Sequence, residues 1–373
     1  ALPAHDPWMS RPMRRDFGLP SPEKALSLAA HDFVQAASAP EVILTRAQKV
    51  DGTPTVPARW LLRIDAVLEA VGLALPQTAG QRYRRWRQDM DTPAAIQPAP
   101  RPAPTPPLPA RPRQLSVTRI ESWMRDPYQI YAQYVLNLRA FDPIDADPGG
   151  AERGTFIHAA LERFIDAYPD TLPPDAEQQL LSLGRAALVD LRVPQDVEAF
   201  WWPRFEKIVH EFVRQENDWR QEAKPFATEV SGQYEFVTSG GPFTLSGKAD
   251  RIDRLRDGRY AVIDYKSGGT PSKGEVRQGI APQLPLEALM LRAGAFEGLP
   301  AGDTAELVYW RVTGSGQKPV ERITFADGKP DIAEMTDAAA AGLAALVEKF
   351  DDPKTPYLSQ PRAEAKPKFS DYE

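Results

Sequence analysis

A chain of 373 residues with 42% hydrophobic and 26% charged side chains has the composition of an ordinary soluble protein, long enough for two or three domains. Zero cysteines exclude any thiolate-held zinc or iron-sulfur cluster and agree with a reducing compartment. The formal charge of −6 argues against the broad basic field of a stand-alone nucleic-acid binder, though not against a nucleic-acid enzyme, whose site needs carboxylates and whose basic track a partner can supply. No apolar run reaches the length of a membrane span, and "ALPAHDPWMSRPMRR" lacks the basic-then-apolar order of a signal peptide, so a cytoplasmic protein is expected. The chain begins with Ala rather than Met, which leaves open that it is a piece of something longer.

Residues 1–90 read as a small α/β piece. "SPEKALSLAAHDFVQAASA" has helical apolar spacing with Pro22 near its start, "EVILTRA" reads as a short buried strand, and "PARWLLRIDAVLEAVGLAL" reads as a second amphipathic helix. "QRYRRWRQDM" interleaves arginines with aromatics, as either a phosphate-contacting segment or a solvated helix end does. Nine prolines between Pro93 and Pro112 then favour extended polyproline over any packed element, so residues 91–113 read as a linker.

Residues 114–373 form the expected second domain. "TRIESWMRDPYQIYAQYVLNL" opens with Thr118 and Glu121 in capping-box spacing and continues as a helix with an aromatic stripe. "RGTFIHAALERFIDAY" reads as a helix entered through Gly154, followed by helical sequence to about Glu222. Beyond Pro225, "TEVSGQYEFV", "FTLSGKADRIDRL" and "RYAVIDYK" are β-rich runs separated by glycine-containing turns. A helix from "PQLPLEALMLRAGA", a strand "AELVYWRV" and a last helix "DIAEMTDAAAAGLAALVEKF" complete an α/β order.

The chemistry concentrates in "GKADRID" and "VIDYK", where an apolar run that belongs inside a sheet ends in Asp264, an aromatic and Lys266. Buried charges are costly unless they are paired or bound. A two-residue Asp257-Gly258 hairpin would send Asp250 and Asp264 to opposite faces. A three-residue loop, Arg256 to Gly258 with Gly258 left-handed, would pair Leu255 with Arg259 and set Asp250 across from Asp264, with Lys266 joining them by the two-residue period. Such a cluster suits a hard divalent cation, Mg²⁺ or Mn²⁺; the plain alternative is a structural ion pair between Lys266 and one aspartate.

Asp250 and the following Asp264-Tyr265-Lys266 resemble the signature of the PD-(D/E)XK nucleases in their RecB-family form. "G-x-x-x-H" from Gly154 to His158, Gln283 in "PQLPLEALM" and the opening "SVTRIESWMRDPYQIYAQYVL" match further blocks of that family in the right order, and the likeness is greatest to the carboxy-terminal part of the alphaproteobacterial AddB type. The resemblance implies a restriction-endonuclease-like mixed sheet flanked by helices over 114–373, and makes residues 1–90 the end of an inactivated helicase-like domain. It makes Asp250 and Asp264 metal ligands, His158 a further ligand and the Tyr265 carbonyl another oxygen; Glu162, four residues on along the same helical face, is placed to orient His158. It gives Lys266 the catalytic role and Gln283 a supporting one. It implies Mg²⁺ or Mn²⁺ as cofactor, DNA as substrate, and AddA as partner in break repair and recombination. Two departures stand out: many relatives carry an iron-sulfur cluster, absent here with no cysteine to hold it, and Glu287 stands where the family often has tyrosine, to approach the metal or to face solvent. No "GxxxxGK[ST]" loop occurs, so no ATP hydrolysis by this chain is expected. A catalytically silent DNA- or partner-binding module with the same fold is the alternative.

Overall fold

The computed structural model describes residues 8–75, 79–96, 98–141, 144, 148–326, 328–361 and 372. The chain divides into two units, 1–99 and 100–373. In the first, helices α1 (Arg11–Asp16), α2 (Pro22–Ala37), α3 (Arg59–Ala70) and α4 (Ala79–Asp91) accompany a two-stranded hairpin, β1 (Lys49–Val50) with β2 (Thr53–Pro54). The helices expected from periodicity form, with Ser10 Oγ accepting from Met13 N–H to cap α1. The strand expected at "EVILTRA" does not: Val42, Ile43 and Leu44 lie exposed in irregular backbone. β-branched residues become a strand only when a neighbouring strand satisfies their backbone, and none pairs with them among the described residues.

The second unit is built on a mixed sheet. β3 (Gln114–Ser116) is followed by α5 (Val117–Arg125), α6 (Pro127–Ile130), α7 (Gly150–Ala167), α8 (Ala176–Asp190) and α9 (Gln195–Trp219). Then come β4 (Ala223–Thr238), β5 (Gly241–Leu255), β6 (Tyr260–Lys266), α10 (Lys273–Arg277), α11 (Gln283–Arg292), β7 (Thr304–Val312), β8 (Val320–Thr324) and α12 (Ile332–Asp351). The order is β3-β5-β6-β7-β8 with β4 on the other edge of β5; β3 with β5 and β6 with β7 run parallel, and the other pairs antiparallel.

Side-chain alternation along β6 builds two cores. Tyr260 and Val262 pack with α5, α11 and α12, whereas Ala261, Ile263 and Tyr265 pack with α7, α8 and α9. Asp264 and Lys266 therefore prolong the α11-facing row beyond its apolar part.

Three local expectations are corrected. α5 starts from Ser116, two residues earlier than a Thr118 cap requires, and Glu121 binds Arg125 at 2.8 Å instead of reaching back to the backbone; Pro127 breaks the stripe into separate turns. α7 begins at Gly150, where the Glu152 carboxylate accepts from Gly149 N–H, so Gly154 lies inside the helix. A Cβ at Gly154 would stand 2.9 Å from Ser267 Oγ, so the glycine serves the close approach of α7 to the end of β6. The end of the Pro-rich run is packed rather than free: Pro106 is buried, and the buried Arg111 guanidinium donates to the carbonyls of Pro106, Phe350, Asp352 and Pro353 at 2.6–3.0 Å. Prolines lose little entropy on ordering, and one arginine clips the segment to the helix α12 end. Among the described residues no helix is long and apolar enough to cross a membrane.

Candidate active site

The β5–β6 turn decides where the carboxylates go. Gly258 is left-handed (φ +87°), its N–H bonds Leu255 carbonyl at 3.0 Å, and Leu255 N–H bonds Arg259 carbonyl at 2.8 Å, which is the three-residue loop. The ladder continues through Arg254↔Tyr260 to Arg251↔Ile263, and its register sets Asp250 opposite Asp264. The Asp250 carboxylate accepts the Tyr265 N–H at 2.8 Å, closing the ladder with a side chain where the strands part.

Asp264 is buried, and Lys266 Nζ lies 2.8 Å from its Oδ2. Gln283, the first residue of α11, ties the two together: its amide N–H donates to Asp264 Oδ1, and its Oε1 accepts from Lys266 Nζ at 2.9 Å. One helical turn on, Glu287 is buried as well, its Oε1 accepting from Gln283 at 3.2 Å and its Oε2 without any hydrogen-bond partner. Of the two placements open to Glu287, the structure selects the interior.

From α7, His158 brings Nδ1 to 3.5 Å from Asp250 Oδ2, with its ring edge-on to Tyr265. Glu162 does not orient it. That carboxylate lies in the same cleft, where its electrostatic neighbours are Glu229, Lys248 and Asp166. His158, Asp250, Asp264, Tyr265, Lys266 and Gln283 thus gather at one end of the sheet.

The electrostatics are those of a site short of a cation. Burial, then the charge of Asp264, pushes the Asp250 carboxyl well above the ordinary range, and burial with the charges of Asp264 and Asp250 does the same to Glu287. Burial by itself would lower Lys266, but the Asp264 charge and hydrogen bond outweigh it and leave the ammonium held above its usual value. Burial lowers His158 and keeps its imidazole neutral, a state that offers a lone pair to a metal. Two buried carboxylates, Asp264 and Glu287, and the partly buried Asp250 face Lys266. Two carboxylates, a neutral imidazole and a peptide carbonyl form a hard oxygen and nitrogen donor set that fits Mg²⁺ or Mn²⁺.

A pH prediction follows from the raised carboxyls. Between the ordinary carboxylate range and the raised folded values, the native state holds more protons than the unfolded chain, so cation-free stability falls as pH rises through that window. A divalent cation binds the deprotonated form. The increase in Tm produced by Mn²⁺ is therefore expected to be greater at pH 8 than at pH 5.5; an increment that shrinks with pH in scanning fluorimetry would contradict this charge assignment.

Two sets of residues were not singled out by motif reading. Glu229 on β4 stands beside Asp250 and His158, each of the three offering a ligand atom within 4.8 Å of the others. Behind the site, Arg251 donates to both oxygens of Glu216 at 2.8 Å, to Asp253 at 2.6 and 2.7 Å and to Tyr265 Oη at 3.1 Å, all fully or almost fully buried. Trp219 Nε1 completes the Asp253 contacts at 2.7 Å, and Arg220 supplies a second cation to Glu216. The only sequence signal was the alternation in "DRID", which puts Arg251 and Asp253 together on the face opposite Asp250.

Among known protein families, the PD-(D/E)XK nuclease superfamily model matches residues 114–363. An uncharacterized protein of Rickettsia felis is 28% identical over 303 residues, covering 78% of this chain and 34% of its own length. A protein of Symbiobacterium thermophilum named as the B-type subunit of an ATP-dependent helicase/deoxyribonuclease is 27% identical over 277 residues, 61% of this chain and 23% of that protein. Its namesake in Moorella thermoacetica is 29% identical over 242 residues, 54% of this chain and 20% of that protein. The chain spans about a third or less of the length of these relatives.

Proposed function

Because the chain belongs to the PD-(D/E)XK nuclease superfamily, we propose that it is a metal-dependent deoxyribonuclease, hydrolysing phosphodiesters of single strands exposed at DNA ends. We further infer that it acts within an AddAB-type helicase-nuclease in double-strand break repair and recombination, with AddA as the motor that feeds the strand. The names of the relatives from Symbiobacterium and Moorella support that second step. The observation that carries the first is the charge imbalance: Asp264 and Glu287, both buried, and the partly buried Asp250 crowd against the ammonium of Lys266.

Asp250, Asp264, the Tyr265 carbonyl and His158 would hold the cation. When bound, it supplies Lewis-acid neutralisation of phosphate oxygens and acidifies a coordinated water. Lys266 is held protonated by Asp264, so its role is electrostatic: it orients the attacking water and stabilises the negative charge that develops at phosphorus, rather than taking a proton. Gln283 fixes both partners at once, donating to Asp264 and accepting from Lys266, so neither side chain reorganises during the reaction. Water forms the new bond to phosphorus as the sugar oxygen leaves with a proton. Cleavage of end-labelled single strands that requires Mg²⁺ or Mn²⁺, and that Gln283→Ala slows by about tenfold or more, is the expected result. Metal-independent cleavage would refute the proposal.

A further inference from the structure

The arginine-aromatic run "QRYRRWRQDM" has no part in the chemistry above, and it folds as helix α4 of the first unit. Arg82, Arg84, Arg85 and Arg87 follow one another with no acidic residue between Gln81 and Gln88, in a chain whose net charge is −6. Among the described residues of α4 only Tyr83 is even half-buried, so no apolar face holds the helix to a core. A helix of 13 residues that is polar on nearly all sides is marginal in water. The Arg87–Asp91 pair on it is long, 3.9 Å, and exposed on both sides, so it contributes little. Packing within the unit therefore does not account for this composition.

The side chains form a platform. The Arg82 guanidinium lies 4.4 Å from the centroid of the Trp86 ring, one helical turn on, and 5.5 Å from that of Tyr83, and the two rings meet edge to face at 5.4 Å. Trp86 nevertheless stays 49% exposed. Steps of about 100° per residue turn Arg84 and Arg85 away from Trp86, and among the described residues neither has an acidic partner. An exposed indole backed by a guanidinium offers a stacking face to any base, and arginines without acidic partners offer charge to the phosphates beside it. Bases in a duplex are already stacked on one another, so the indole selects a single strand. An acidic protein surface would use the arginines but not the open ring.

We propose that α4 is a binding site for single-stranded DNA, with Trp86 stacking on a base and Arg84 and Arg85 neutralising neighbouring phosphates. The proposal rests on DNA being the substrate, as inferred above. It uses none of the residues that would hold the cation, so binding at α4 requires no metal and can be measured without cleavage.

Fluorescence anisotropy of a labelled oligo-dT strand with the full chain in chelator, between about 50 and 200 mM salt, tests it. The double variant Arg84→Gln, Arg85→Gln is expected to lower the slope of log affinity against log salt by about 1.4, since each phosphate contact on a single strand contributes about 0.7. Trp86→Ala is expected to weaken binding by about fivefold or more while leaving that slope unchanged. A control that removes the same charge from exposed residues of α2 and α3, Lys24→Gln with Arg63→Gln, should leave both quantities at their wild-type values. Far-UV circular dichroism checks that each variant remains folded. Arginine and tryptophan variants of α4 that bind like the wild type, or a control pair that loses as much as the arginine pair, would overturn the site at α4. So would tighter binding of a duplex than of the single strand. No binding by the wild type would overturn it too, alone if metal-dependent cleavage persists and together with the nuclease reading if it does not.

Discussion

Asp250→Asn is expected to abolish cleavage and at the same time to stabilise the cation-free protein. The carboxyl is partly buried at the strand ends, and its ionised form is opposed first by desolvation and then by Asp264 across the ladder. Asparagine keeps the oxygen that accepts the Tyr265 N–H while removing the charge. At neutral pH this relieves the folded state of an opposed charge, so the cation-free Asp250→Asn chain should melt higher than the wild type. With Mn²⁺ present the order reverses, since the wild type gains the ion and the variant does not. The cleavage rate should fall by on the order of 10³-fold or more. A variant that melts lower without metal would show that Asp250 is a structural ion-pair partner rather than an ion ligand carrying excess charge.

The second large effect lies behind the site. Arg251→Met is expected to destabilise the chain by about 3–5 kcal/mol, enough to unfold a marginal domain. The side chain satisfies Glu216 and Asp253 together, both fully buried, and its loss would leave Arg220 as the single guanidinium on Glu216 and only Trp219 on Asp253. It also donates to Tyr265 Oη, and Tyr265 is the residue between Asp264 and Lys266. Stability and site geometry are therefore coupled through one arginine. Replacing Arg251, Glu216 and Asp253 together by apolar residues of similar volume should recover most of the lost stability, because desolvation offsets much of what such a network contributes. Urea denaturation of the single and triple variants measures both. A single Arg251→Met variant as stable as wild type would show that the network's desolvation cost already cancels its attraction.

The strands, the helices and the gathering of Asp250, Asp264 and Lys266 were legible in the sequence because they depend on local chemistry, whereas Gln283 came only from the family resemblance. Period-two alternation in "VIDYK" and a glycine able to go left-handed at Gly258 were enough to bring Asp250 opposite Asp264. Features that depend on distant partners were not legible. "EVILTRA" has strand-forming residues but gains no pairing strand, and a proline count could not reveal that Arg111 would find carbonyls more than two hundred residues away. Glu229 escaped notice for the same reason, since only the β4–β5 register brings it to Asp250. Glu216 lies on α9, far along the chain from Arg251's strand turn, and no spacing rule links a helix end to a strand across a core.

The most direct test is cleavage of end-labelled single-stranded and duplex DNA by the purified chain, with Mg²⁺, Mn²⁺ or chelator, beside Asp264→Ala and Lys266→Ala variants, each also assayed with AddA supplied. Metal-dependent cutting that both substitutions abolish is the predicted result. No cutting by the wild type under any of these conditions would contradict it, and would make the chain a silent module that keeps the nuclease fold.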